Sequence, residues 1–323
     1  MPPQFATPAA CESQVELDLS YNVLSPSHLC FNIEAAHCSG HQVLSERLAI
    51  SSGVVSHRFV DEASGNRFIR IDVPEGELVL SYRATVQIPV QPVPDNLPEV
   101  PVSQVPDAVL KYLLPSRYCE SDVMWRAATQ LFGDLPPGLS RVRAVVDWIA
   151  DSITYLPGST ESTTTAQHVF VQRAGVCRDF AHLGITLCRA LNIPARLVVG
   201  YVWFDDPPQD FHAIFEAWLG GRWVLFDATR MAPPQQAGRR LCPPADGGFH
   251  RRTRGSGRAT DSGGRMPARP KSNSRTMSNR SIRAKSSTSG APFSVQRTTP
   301  TGRPDGNAPA SAEVTTRSPS RGT

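Results

Sequence analysis

The chain has 323 residues, 40% hydrophobic and 19% charged, which allows two or more domains with buried cores. No run approaches the roughly 18 apolar residues of a membrane span, and Met-Pro-Pro-Gln-Phe-Ala-Thr at the start lacks a basic region followed by an apolar stretch, so a cytoplasmic protein with no membrane partner is expected. The formal net charge of +4 joins two unlike segments: residues 1 to 232 hold 16 Lys and Arg against 25 Asp and Glu, net −9, while residues 233 to 323 hold 17 against 4, net +13.

Seven cysteines, at 11, 30, 38, 119, 177, 188 and 242, are an odd number at irregular spacing, unlike a disulfide framework, and reduced thiols are expected. Residues 12 to 90 alternate apolar and polar with period two, as in Val15-Leu17-Leu19-Tyr21, Ile69-Ile71-Val73 and Leu78-Leu80-Tyr82, with turn signals between the runs. Short strands at this spacing predict an antiparallel sandwich over 1 to 90. His28, His37, Cys38 and His41 offer half of a zinc-finger spacing without a closely spaced cysteine pair, so no metal site is expected there. Six prolines between 89 and 106 break helix and sheet ladders and predict an extended linker over 91 to 106. Helices are predicted over 107–114, 120–132, 139–155 and 166–173, the third with Val142, Val146, Ile149 and Ile153 on one stripe. A Ser/Thr-rich stretch, 158 to 165, reads as a solvent loop or as one wall of a substrate cleft.

Arg173-Ala174-Gly175-Val176-Cys177-Arg178-Asp179-Phe180-Ala181-His182-Leu183 leads into a helix predicted to bury one stripe, Phe180, Ala181, Gly184, Leu187, Cys188 and Leu191. Cys177 then sits on the first turn, where unpaired backbone N–H groups and the helix dipole favour a thiolate. His182, five residues on, points about 140° away around the helix and reads as structural or as a rim residue, Arg178 and Asp179 read as rim charges, and Cys188 as a core thiol. The helix is expected to end at Leu191-Asn192-Ile193-Pro194, with Asn192 in a left-handed cap. Strands are predicted over 195–204, 211–219 and 223–228, the last two flanking Gly220-Gly221 as a hairpin. Residues paired across that turn have numbers summing to about 441, so His212 falls opposite position 229, two residues from Asp227 and on its face. An imidazole and a carboxylate so placed are a base and its orienting partner for a cysteine nucleophile.

Gly-Val-Cys-Arg-Asp-Phe-Ala-His-Leu, the His of Phe-His-Ala-Ile-Phe-Glu-Ala-Trp and the Asp of Trp-Val-Leu-Phe-Asp-Ala-Thr resemble, in order, the three blocks of the transglutaminase-like superfamily, over about residues 107 to 232. The resemblance implies an α+β fold: a papain-like core carrying a triad of Cys177, His212 and Asp227, preceded by the N-terminal β-domain. It also implies acyl transfer on a peptide or amide substrate through an acyl-enzyme, with no cofactor and no metal. Hydrolysis is favoured over amine transfer, because no second binding cleft for an amine is found. The backbone N–H of Cys177 is the expected oxyanion donor, with Gln172 as a candidate second donor. The competing reading is a catalytically impaired binding module on the same fold. Nucleic-acid binding through the basic tail would rest on charge alone and be non-specific. Residues 233 to 323 are rich in Arg, Ser, Thr, Pro and Gly without periodicity and are expected to be disordered. Either a natural flexible tail or a shifted reading frame fits the abrupt change of composition.

Overall fold

The computed structural model describes residues 10–37, 41–51, 53–62, 64–89, 93–202, 211–231, 244–245 and 280–285. Six strands build the N-terminal part: β1 (Ala10–Val23), β2 (Ser27–Phe31), β3 (Gln42–Ile50), β4 (Ser56–Asp61), β5 (Asn66–Val73) and β6 (Gly76–Pro89). β1 and β6 are antiparallel along their whole length, from Ala10 opposite Pro89 to Val23 opposite Gly76, and β3 adds to β6 with an irregularity between Val43 and Ser45. β5 lies between β2 and β4 in a second antiparallel sheet. Alternation puts Val15, Leu17, Leu19, Leu80 and Tyr82 of one sheet against Leu29, Phe31, Ile69 and Ile71 of the other, which is the expected sandwich. Arg67 is buried beside it and donates to both carboxylate oxygens of Glu46, at 2.7 and 2.6 Å, and to Glu34 at 3.1 Å, so the buried charges are paired. His28 bonds Asp72 and Arg70, while Cys38 lies outside the described residues.

Residues 93–106 are not extended throughout, since Val102–Gln104 forms a 3-10 turn, and they are fastened to the core that follows. Proline lacks an N–H and keeps its carbonyl, and the segment uses acceptors: Leu97 O takes the Leu139 N–H at 2.9 Å and Pro98 O takes the Gly220 N–H at 2.9 Å. Glu99 accepts from the Gly138 N–H at 2.9 Å and pairs with Arg141.

Next come α1 (Asp107–Leu110), α2 (Ser121–Phe132), α3 (Leu139–Ser152), β7 (Thr154–Tyr155), α4 (Ala166–Gln172), β8 (Ala174–Gly175) and α5 (Cys177–Ala190). They are followed by β9 (Ala195–Tyr201), β10 (Phe211–Leu219) and β11 (Arg222–Phe226). The sheet runs β11-β10-β9 and is closed at the β9 edge by β12 (Pro244–Ala245). Trp218 faces Trp223 and Phe215 faces Phe226, the hairpin register expected from the Gly220-Gly221 turn, and Asn192 has φ 62° as expected of its cap. α5 departs from expectation: all residues from Asp179 to Arg189 are buried, not one stripe. The sheet covers one side, with Gly184 pressed on the Phe215 ring, and α2, α3 and α4 cover the others, so small residues on the far faces serve contacts with those helices.

Of residues 233–323, two stretches are described: β12, and β13 (Arg280–Lys285), which pairs parallel with β1. The expectation for the rest of that segment lies outside the described residues. Among the described residues no helix is long and apolar enough to cross a membrane.

Candidate active site

The start of α5 is built by a buried carboxylate. Asp179, third in the helix, turns back so that Oδ2 accepts the Val176 N–H at 2.9 Å, satisfying a donor that the helix start leaves without an intrahelical partner. Gly175 is required for this turn, since a Cβ there would lie 2.8 Å from the Asp179 Cβ. The expectation that Asp179 is a rim charge is therefore corrected: it is 1% exposed, because an acidic group at the third helical position is stabilised by backbone donors and the dipole. Thr160 Oγ1 donates to the same oxygen at 2.6 Å, and Arg178 donates to Thr160 Oγ1 and to the Glu161 carbonyl. Gln172 Nε2 donates to the Ser159 carbonyl at 2.8 Å. These bonds pin the Ser/Thr-rich stretch beside the helix start and give Gln172, the candidate second oxyanion donor, a contact that holds the loop.

Cys177 is the first residue of α5 and is partly exposed. His212, in β10 opposite Gly200, is 2% exposed and hydrogen-bonds both Cys177 and Asp227. Its Nε2 lies 2.9 Å from Asp227 Oδ2, which leaves Nδ1 as the nitrogen for the thiol. Asp227 follows the last residue of β11 and is 5% exposed. Its loop is tied down by Arg230, at φ 58°, whose guanidinium bonds Asp147 and Asp151 of α3 at 2.9 and 2.7 Å. The structure thus brings Cys177, His212 and Asp227 into one hydrogen-bonded chain.

Burial by itself would drive the His212 imidazole towards neutrality, but its hydrogen bonds to Asp227 and Cys177 outweigh that and push its pKa up to about 10. Burial raises Cys119 and Cys188, both fully enclosed, and also raises Cys30, partly offset by Arg70. His182 is buried and stacks on Tyr118 at 5.2 Å, a structural place. Among the described residues no group of three or more His, Cys, Asp and Glu is arranged to hold a metal ion.

Two contributors escaped sequence reasoning. Asp179 had a legible signal, an acidic group three residues past the N-cap. Thr229 had another: Asp-x-Thr at a strand end is a side-chain-to-backbone turn motif, and its hydroxyl and N–H both bond Asp227.

A helix-borne thiol meeting a strand-borne imidazole, with a carboxylate just past the next strand, at the helix–sheet interface defines the papain-like class of fold. The chain belongs to the transglutaminase-like superfamily: the profile of that description matches residues 126–228, and one described as the bacterial transglutaminase N-terminal domain matches residues 12–108. It is similar to the crystal structure of a protein from Cytophaga hutchinsonii provisionally named a cysteine protease, at 40% identity and TM-score 0.65, over 71% of this chain and 78% of that one. An uncharacterised protein of Mycobacterium leprae is 35% identical over 98 residues, 27% of this chain and 34% of that protein. One from Mycobacterium tuberculosis is 31% identical over 140 residues, 42% of this chain and 37% of that protein. The chain therefore matches little more than a third of these mycobacterial relatives' length.

Proposed function

We propose that the protein is a thiol acyl-transfer enzyme that cleaves peptide or amide bonds, with Cys177 as nucleophile, His212 as acid and base, and Asp227 as the group orienting the imidazole. The observation that carries this reading is the unbroken chain of hydrogen bonds from the partly exposed thiol through His212 to the buried Asp227. The sulfur attacks the carbonyl carbon, a C–S bond forms, and charge collects on the carbonyl oxygen. The N–H of Cys177, on the first turn of α5, is a donor available to that oxygen. His212 gives its Nδ1 proton to the leaving amine as the C–N bond breaks. Water then attacks the thioester with His212 taking its proton, releasing the acid and restoring the thiol pair. Positioned proton transfer of this kind contributes roughly a hundredfold to ten-thousandfold. Hydrolysis is preferred over transfer to an amine, in line with the provisional naming of the Cytophaga relative as a cysteine protease.

The test is a panel of peptide, simple amide and glutamine-plus-amine substrates assayed with wild type and Cys177→Ala. Release of free acid that Cys177→Ala abolishes is the expected result. Amine incorporation in preference to hydrolysis would reassign the acyl acceptor. No turnover by wild type, with Cys177 still reactive towards alkylating reagents, would favour the binding module.

A further inference from the structure

Thr229 stands outside the three residues of the proposed reaction and touches two of them. Its Oγ1 donates to Asp227 Oδ1 at 2.7 Å and its backbone N–H donates to the same oxygen at 2.9 Å. The hydroxyl also accepts the Met231 N–H at 3.2 Å and lies 3.4 Å from His212 Nε2. A hydroxyl has one proton, and the 2.7 Å contact points it at Oδ1, so the hydroxyl presents a lone pair towards the imidazole N–H. The ring nitrogen thus faces an acceptor on either side, Asp227 Oδ2 at 2.9 Å and Thr229 Oγ1 beyond it.

Rotation of a carboxyl about its Cβ–Cγ bond is soft, so a side chain held only by His212 would exchange its oxygens and tilt. Two donors on Oδ1 remove that freedom. They also stabilise the ionised form of a group that is 5% exposed and would otherwise resist charge.

Resting on the reading in the preceding subsection, we infer that Thr229 is a positioning residue for the candidate triad: it fixes the Asp227 carboxylate so that Oδ2 alone faces His212, and through that bond it aims Nδ1 at Cys177. The plainer alternative is a turn that merely closes the end of β11. The two differ in one respect. A turn-closing role acts on stability whatever occupies position 227, whereas a positioning role is transmitted only through the carboxylate.

The experiment uses the full chain and reads the rate of Cys177 alkylation by iodoacetamide across pH, by mass spectrometry, in wild type, His212→Ala, Asp227→Asn, Thr229→Val, Thr229→Ser and the double variant Asp227→Asn with Thr229→Val. Removing the hydroxyl should lower the His212-dependent rate near neutrality about tenfold, the size of one hydrogen bond to a charged group. Thr229→Ser should restore it, and in the Asp227→Asn background the Val change should have no further effect. Thr229→Ala, a second hydroxyl-free variant, carries the same comparison if Thr229→Val does not fold. A wild-type rate in the hydroxyl-free variants, or an equal loss in both backgrounds, overturns the inference while leaving the triad standing. A wild type whose Cys177 reactivity is indifferent to His212→Ala overturns the triad itself, and the inference with it.

Discussion

The Tyr201 hydroxyl donates to the Ile33 carbonyl at 2.7 Å, so the N-terminal sandwich is bonded to the end of β9 beside His212. Tyr201 is paired with Phe211, and both rings sit in the core of the sandwich, 1% and 6% exposed. The residue before His212 is thus part of the core of the other domain. Tyr201→Phe keeps the ring and leaves a buried carbonyl without that donor, so it should destabilise the protein by about 1–3 kcal/mol. Urea unfolding measures this, and a change within error would mean that the bond does not contribute to the seam.

Gly184 permits the closest approach of α5 to the sheet. A Cβ there would lie 2.4 Å from the Phe215 ring, which is itself buried and stacked on Phe226 at 5.5 Å and has no room to withdraw. Gly184→Ala should therefore cost about 1–3 kcal/mol despite the better helix propensity of alanine. A raised melting temperature would refute the close packing.

The elevated His212 pKa makes stability pH-dependent in a stated direction. A base whose folded pKa is raised binds its proton more tightly in the native state, so its contribution is fully present below the unfolded value of about 6.5 and is lost as pH rises through the folded value. With that value at about 10, the loss should span the interval between the two. Unfolding free energies measured across the interval should fall in wild type, and the fall should be smaller in His212→Gln. Parallel curves for the two proteins would contradict the assigned shift.

Selective labelling should single out one thiol among those described. Cys177 is partly exposed and bonded to His212, whereas Cys119 and Cys188 are enclosed and held in the thiol form by burial. A limiting dose of iodoacetamide on the native protein should mark Cys177 well ahead of Cys30, Cys119 and Cys188, and His212→Ala should erase the preference. Uniform labelling would argue against any special state of Cys177.

What the amino-acid order made legible was the part governed by local rules. The Gly220-Gly221 turn set the hairpin register, and with it the facing of His212 and the Asp227–Thr229 segment. Asn192 before Ile193-Pro194 marked a left-handed helix end for the same reason, a backbone conformation few residues accept. Strands β3 and β4 escaped notice because they bury almost nothing: Ser56 to Val60 are all exposed, so no alternation was there to read. In the sequence Asp179 reads as a rim charge because a charged residue is ordinarily wet. Its burial depends on Thr160, some 19 positions away, and on the Val176 N–H, and only the folded chain joins them. The breadth of α5's burial was hidden for a similar reason, since Ala, Gly, Thr and Cys give a weak period and still pack on every side.

The fastening of residues 93–106 also decides where this core can be cut from its neighbour and carried elsewhere. An excised fragment beginning at Asp107 would strip protein acceptors from three N–H groups, those of Gly138, Leu139 and Gly220, and expose the hairpin turn that Leu97 now covers. A piece carried elsewhere must keep residues 97–106, and it would still leave Tyr201 and Phe211 without the sandwich core that buries them; the double-glycine tip, though it looks like a free loop, is a poor place to insert a tag.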